Sequence, residues 1–347
     1  MSYTVSPSDL SLDREAVLGL WRENLPEASA NRYAWLYESE TTAGWLVKSA
    51  ENEVVGSSGL MRRGMRAFGR TIRAGQTIDL NVRQDHRSVG PALGLQRAVA
   101  ATVAGRQFDL LYTFPNEKSE PVQRRIGYRE VGLLDRWVKP LRLGARLKSR
   151  LGSVWLRAMA PLLANPYFYL KSPETYYRRP AGLHTEITDR FDERFDRLWQ
   201  TAAAQFPIVG ERTSAYLTWR FGQCPGAGYR ALCLMQADGR LLAYAVFRHE
   251  DDTAYLGDFF FDTPDHLHSL MAEVLRQLRR ERAETVVTLF LGTALVRQKL
   301  AQFGFYRRPS GRKLLVYTDP QQFDANADRL LDRENWYLTT ADVDTDS

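Results

Sequence analysis

The stretch Ile78-Asp-Leu-Asn-Val-Arg-Gln-Asp-His-Arg-Ser-Val-Gly-Pro-Ala-Leu-Gly94 decides how the chain is read. Ile78, Leu80 and Val82 alternate with Asp79 and Asn81, the period of a half-buried strand. Arg83–Ser88 is a polar loop. Gly90 stands at the mouth of a helix that carries Leu93, Leu95, Val99 and Val103. Pro91 suits its first turn, because the missing N–H would have had no helical partner there. A strand, a basic loop, a glycine and a helix together form an anion cradle: free backbone N–H groups and the positive end of the helix dipole point at whatever occupies the mouth. Arg87 adds a guanidinium that can fork onto a phosphate.

Working outward, the spacing predicts two helices at the N-terminus, around Val17–Leu25 and Tyr33–Tyr37. Strands follow at Trp45–Ser49, at Val54–Arg63 after a turn at Glu51–Glu53, and at Gln76–Val82. Beyond the cradle helix, Phe108–Phe114 reads as a buried strand. Pro115–Pro121 is a loop and helix start, the helix ends at Ile126-Gly127, and Tyr128–Leu134 begins another strand.

The second half repeats this order. Tyr216-Leu-Thr-Trp-Arg-Phe221 echoes Tyr33-Ala-Trp-Leu-Tyr37, and Gln302-Phe-Gly-Phe-Tyr306 echoes Arg125-Ile-Gly-Tyr128. Recurrence of a whole supersecondary order implies two copies of one fold. The copies differ at the mouth. After the strand Tyr255–Phe261 comes Asp262-Thr-Pro-Asp265, an ordinary helix start with Thr263 or Asp262 as cap. It has no Arg-x-x-Gly and favours cations over phosphate.

Composition sets bounds. The 347 residues favour two domains, and 44% hydrophobic with 25% charged content is ordinary for packed cores. The net charge of +6 is local: residues 138–180 hold nine Lys/Arg and one Glu, or +8, which leaves the rest near −2. A nucleic-acid partner is therefore not expected. Leu141, Leu143, Leu147, Leu151, Trp155 and Leu162 punctuate that band as in an amphipathic basic helix. It reads as a bridge between the copies, with peripheral membrane contact through 139–163 as the second reading. Two cysteines, Cys224 and Cys233, support neither a disulfide framework nor a zinc site. No signal peptide or membrane span is legible, so a cytoplasmic location is expected, and no metal site is expected.

The residues also carry a family likeness. Val82-Arg-Gln-Asp-His-Arg87-Ser-Val-Gly90-Pro-Ala92 resembles the Arg-x-x-Gly-x-Gly/Ala motif of the GNAT superfamily of acyl-CoA N-acyltransferases. Asn116, Ser119, Gly127 and Tyr128 match its second pattern in all four positions. Phe114-Pro-Asn-Glu-Lys-Ser resembles the double-GNAT branch, whose first copy binds acetyl-CoA. The resemblance implies an α/β fold, a mixed α+β sheet in two tandem GNAT-like domains: 1–140 binding acetyl-CoA and 181–320 degenerate. A basic linker at 141–180 and an acidic C-terminal tail at 321–347 complete the division. It implies acetyl-CoA lying in a split between the strands 76–82 and 108–114, with its pyrophosphate on Arg87, Ser88, Val89, Gly90, Pro91 and Ala92. A thioester carbonyl would be held by backbone N–H groups of Leu80, Asn81 or Val82, and Asn116 and Ser119 would contact the pantetheine or adenine-side arm.

Two positions depart from the pattern. Pro91 removes one donor, and Gln123 stands where the superfamily often has a proton-giving Tyr. Tyr112 and Tyr128 are the alternative acids, and Asp79 is the candidate base for an acceptor ammonium. The implied activity is transfer of acetyl from acetyl-CoA to a primary amine, a small amine or an amino sugar of a surface polysaccharide. The alternatives are a non-catalytic acyl-CoA sensor and a peptidoglycan-bridge aminoacyltransferase of the Fem type. The phosphate loop counts against the last. The oligomeric state is left open.

Overall fold

The computed structural model describes residues 2–25, 29–39, 41–143, 162, 164–323 and 326–344. They divide into two compact units, Met1–Leu133 with Arg312–Arg333, and Leu134–Gly311 with Glu334–Ser347.

In the first unit, β1 (Thr4–Pro7), β2 (Thr42–Lys48), β3 (Val54–Ala67) and β4 (Arg70–Val82) pair in sequence, antiparallel throughout. β5 (Leu110–Thr113) lies parallel to β4. β6 (Arg129–Leu133) does not touch β5 directly; a late strand, β15 (Lys313–Tyr317), sits antiparallel between them. One sheet face carries α3 (Val89–Ala104), whose Leu95, Val99 and Val103 are buried with Leu60, Phe108, Leu111, Tyr128 and Leu315 close by. Each such side chain contributes about 1.5–3 kcal/mol by leaving water. α1 (Arg14–Asn24) and α2 (Ala30–Tyr37) bring a dense aromatic group against β3 and β4. In it Trp21 stands edge-on to Tyr33 and Tyr37, which stack at 4.9 Å. Ser29 caps α2 by accepting from Arg32 N.

The second unit has the corresponding order. β8 (Leu183–Thr188), β10 (Arg230–Gln236), β11 (Leu241–Glu250) and β12 (Thr253–Phe261) are antiparallel neighbours. β13 (Thr285–Gly292) runs parallel to β12. Here β7 (Asp135–Pro140), an early strand, lies between β13 and β14 (Tyr306–Arg308). β16 (Trp336–Leu338) joins β13 antiparallel and β9 (Ile208–Gly210) parallel.

Each unit is completed by a strand from the other half of the chain. Unpaired ladder groups at an open sheet edge are costly, and β7 and β15 satisfy them. The acidic C-terminal segment is not a loose end as far as Asp342, which is fully buried. Of the basic band, Lys139, Leu141 and Leu143 are buried; residues 144–161 and 163 lie outside the described residues. Among the described residues no helix is long and apolar enough to cross a membrane.

Candidate active site

β4 and β5 stay paired only at Ala74↔Leu110, Gly75↔Leu111 and Gln76↔Tyr112. Thr113 Oγ1 then donates to Thr77 O at 3.1 Å, β5 ends, and β4 continues to Val82 alone on that side. On its other side β4 remains bonded to β3, with Gly56 opposite Val82. Arg83 N donates to Val55 O at 2.8 Å, so the preceding residue, Val82, turns its own N–H and C=O to the open edge. Arg87 occupies that edge: its Nε donates to Val82 O at 3.2 Å, and its Nη2 donates to Asn24 Oδ1. The structure thus brings Val82 and Arg87 together.

A bulge opens the split. Ser57 faces Asn81 and Gly59 faces Ile78, which leaves Ser58 opposite two residues, Asp79 and Leu80. Asp79 takes φ +51°, a left-handed conformation that non-glycine residues rarely adopt. Its carboxylate accepts from Arg32 Nη1 and Nη2 at 3.1 Å each and from Tyr37 Oη at 2.9 Å. Tyr37 reaches it only because position 59 is glycine: a Cβ there would lie 2.4 Å from Tyr37 Oη. The side chain of Asp79 is 6% exposed and committed to a forked ion pair. This is the geometry of a bulge pin: the carboxylate expected to serve as a base for an acceptor amine is engaged by Arg32 and Tyr37. Asn81, on the same strand, uses its Nδ2 to hold Leu20 O of α1 at 3.1 Å.

The mouth lies beyond Val82. Residues Gln84–His86 make one 3₁₀ turn, and Arg83 is tied to Asp85 and Glu53. His86 is engaged by the Tyr3 hydroxyl at 3.2 Å. α3 then starts at Val89 with Ser88 in extended backbone. The Ser88 side chain makes no capping bond and the first turn has no acid, so nothing within the helix neutralises its positive end. Ser88 and Gly90 are exposed, Ala92 is half-buried, and Pro91 is buried. A Cβ at Gly90 would meet no protein atom closer than 4.0 Å, which leaves this approach open.

Asn116 and Ser119 form a closed turn at the start of α4 (Glu120–Ile126). Asn116 Oδ1 accepts from the N–H groups of Lys118 and Ser119 at 3.0 Å, and Ser119 Oγ accepts from Asn116 N at 3.1 Å. Gly127, at φ +111°, ends the helix. Gln123 is buried and donates to Gln96 Oε1 at 2.9 Å, while Gln96 donates to Ser58 Oγ at 2.9 Å. Among the described residues Gln123 Oε1 has no hydrogen-bond partner despite its burial. Tyr128 is buried with its hydroxyl 3.0 Å from Thr77 Oγ1, at the point where β4 and β5 part. Burial raises its pKa, so it stays a phenol with a proton to give. Tyr112 is fully buried and donates to Gln76 Oε1 at 3.2 Å. Arg32, Tyr37, Gly59, Gln96 and Thr77 carried no local motif. They matter through contacts with residues far along the chain, and no spacing rule exposes such contacts.

The same part of the second unit is closed. β12 and β13 pair only as far as Leu256↔Thr288, and then β16 takes the free end of β13 at Leu291↔Leu338 and Gly292↔Tyr337. Gly292 allows it, since a Cβ there would lie 2.2 Å from Trp336 O. Tyr337 Oη donates to Phe259 O of β12, and Phe206, Phe259, Phe260, Phe261 and Phe290 surround the ring. Below it Arg212 forks onto Asp342 and also donates to Asp258, all three fully buried. Tyr244 and Thr339 hydroxyls complete Asp258, and burial raises the Asp258 pKa. The mouth itself is capped: Thr263 Oγ1 accepts from His266 N, and His266 pairs with Asp262. His268 packs against Phe303 instead, so the two histidines face different ways. Among the described residues no group of His, Cys, Asp and Glu could hold a metal, and Cys224 and Cys233 are buried free thiols.

No family model and no curated protein matches the sequence. Solved structures do. A protein of Enterococcus faecalis V583 described as a probable N-acyltransferase is 11% identical, with TM-score 0.66, covering 93% of this chain and 74% of that one. A GCN5-related N-acetyltransferase of Anabaena variabilis ATCC 29413 is 11% identical, with TM-score 0.66, covering 91% and 73%. N-myristoyltransferase of Saccharomyces cerevisiae, solved with bound myristoyl-CoA, is 13% identical, with TM-score 0.55, covering 92% and 79%. The chain therefore has a mixed α/β fold of the GCN5-related acyltransferase type.

Proposed function

We propose that the protein is an acyl-CoA-dependent N-acyltransferase built from two GNAT-like domains, of which the first binds acetyl-CoA. One observation carries the reading: β4 and β5 part at Gln76/Tyr112, and the gap leads to the uncapped start of α3 beside Arg87. The pyrophosphate would lie on Arg87 and the N–H groups of Ser88–Ala92, with Pro91 contributing shape only. The thioester carbonyl would meet the Val82 N–H on the open edge, flanked by Leu80 and Asn81. As the amine attacks, that donor would hold the oxyanion of the tetrahedral intermediate, where a fixed N–H is worth more than water. Collapse then expels the thiolate, which Tyr128 would protonate; the proton lost by the acylated nitrogen would return to the Tyr128 phenolate, so the net transfer is from amine to thiol, while Asn116 and Ser119 would shape the pantetheine path. Asp79 would set the position of Val82 through the bulge. The acceptor we favour is a primary amine on a small molecule or an amino sugar, attacking directly in a ternary complex.

A second reading, a non-catalytic acyl-CoA sensor, is favoured by Gln123, whose amide cannot supply a proton. Calorimetry with acetyl-CoA and release of free CoA across a panel of amines and amino-sugar nucleotides separate the two. Binding with release supports the enzyme, binding without release supports the sensor, and no binding to the wild-type chain overturns both.

A further inference from the structure

Half of the large apolar side chains exposed among the described residues crowd into one short stretch. Leu162, Tyr167, Tyr169, Leu170 and Tyr176 are 51–66% exposed, whereas Leu12, Leu25, Ile187, Leu295 and Tyr306 are scattered. Isolated exposed apolar residues need no explanation; a cluster does.

The stretch is clamped from beneath. Ser172 and Glu174 are buried. Lys139 Nζ donates to Glu174 Oε2 at 3.0 Å, and Arg279 Nη2 donates to Ser172 Oγ at 2.7 Å and to Glu174 Oε1 at 2.9 Å. Arg276 Nε holds Glu174 O at 2.7 Å. On the outside, the Tyr176 hydroxyl donates to Leu170 O at 2.9 Å and Thr175 Oγ1 donates to Tyr169 O at 2.6 Å. Ser172 and Glu174 are thus held from within, and the rings and leucines are exposed.

The charge has one sign. Glu174 is the only acid in residues 138–180, and it is consumed by the clamp. Lys171 and Arg178 stand exposed beside the rings. Tyrosines with flanking cations suit a lipid headgroup layer, which takes an amphipathic ring at one depth and a cation at the next. A second copy of this chain fits less well, since a two-fold contact would bring these cations against their own images.

We propose that Leu162 and residues 164–178 dock on an anionic lipid surface, with Leu162 and Leu170 entering the acyl boundary, the tyrosines at headgroup level, and Lys171 and Arg178 on lipid phosphates. The test is co-sedimentation of the full chain with vesicles of phosphatidylcholine alone or mixed with phosphatidylglycerol. Binding is expected to the mixed vesicles only, and to weaken in about 0.5 M salt. The triple variant Tyr167→Ser, Leu170→Ser, Tyr176→Ser and the double variant Lys171→Glu, Arg178→Glu should each lower partitioning by about tenfold or more. All five positions are exposed, so unchanged circular dichroism and melting are expected and should be checked first. The proposal is overturned if the wild-type chain ignores anionic vesicles, or if the triple variant binds as well as wild type. It is equally overturned if light scattering shows a wild-type dimer that the triple variant loses, which assigns the patch to self-association.

Discussion

β4 and β12 are built alike and end differently. Each carries an aspartate three residues before its last strand residue, Asp79 before Val82 and Asp258 before Phe261. Each aspartate sits at or beside a bulge, and each is held by an arginine and a tyrosine hydroxyl: Arg32 and Tyr37 for one, Arg212 and Tyr244 for the other. In the first unit, among the described residues, no strand pairs with β4 on its β5 side beyond Gln76, and Arg87 bonds to its edge at Val82 O. In the second, Tyr337 and its neighbours fill the gap and Asp342 ties them down. A parted pair of parallel strands is therefore not in itself a site; what the rest of the unit places against the exposed edge decides its character.

The comparison can be broken hardest at Arg212. Arg212→Ala leaves Asp258 and Asp342 buried without a counter-charge, and an expected loss of about 3–5 kcal/mol should appear in denaturant unfolding. Cys233 offers a second readout: burial pushes its thiol up to about 12, so it should resist alkylation at pH 8 in the wild type and react in the variant. If the variant unfolds at the wild-type midpoint, the C-terminal segment is not held as described.

Arg87→Ala tests the open gap, making its mouth more like the second one. Acetyl-CoA affinity measured by calorimetry should fall by about 1.5–3 kcal/mol, the worth of a charge-assisted hydrogen bond, with melting unchanged. Equal affinity would remove the pyrophosphate assignment.

The bulge comes next. Gly59→Ala drives a Cβ into Tyr37 and should cost about 1–3 kcal/mol of stability by overpacking. Acetyl-CoA binding should weaken with it, because Asp79 loses one of its holders; a variant that loses stability yet binds normally would uncouple bulge from site. The mildest change is Asp79→Asn. Asparagine tolerates the left-handed backbone and keeps an acceptor, and Arg32 is partly exposed, so about 1 kcal/mol is expected. Turnover should drop less than about tenfold, whereas loss of a general base would cost about 10²–10⁴. The larger drop with a shifted pH profile would restore Asp79 as the base.

Local features were read well from the sequence. α3 carries Leu93, Leu95, Val99 and Val103 as their spacing implied, α4 stops at Ile126 before a left-handed Gly127, and Thr263 caps the helix Pro264–Arg280. These depend on residues within a turn or two of each other. The strand exchange was not legible, because Lys313–Tyr317 and Asp135–Pro140 carry the same apolar alternation whichever sheet they join. Nor was the fate of the acidic C-terminus. Asp342 and Asp344 look alike in sequence, and only the fold brings the Asp342 carboxylate to Arg212.

The cradle Ile78–Gly94 was determined by the sequence alone as strand, basic loop and helix, since alternation, Gly90 and Pro91 act over short range. That β16 takes the end of β13 while, among the described residues, no strand takes the corresponding side of β4 was decided only in the tertiary structure. Arg32 and Tyr37 come to Asp79 across more than forty residues, and Tyr337 comes to Phe259 across seventy-eight. Such contacts form because packing and hydrogen-bond satisfaction are settled over the whole unit at once, and no window of sequence contains them.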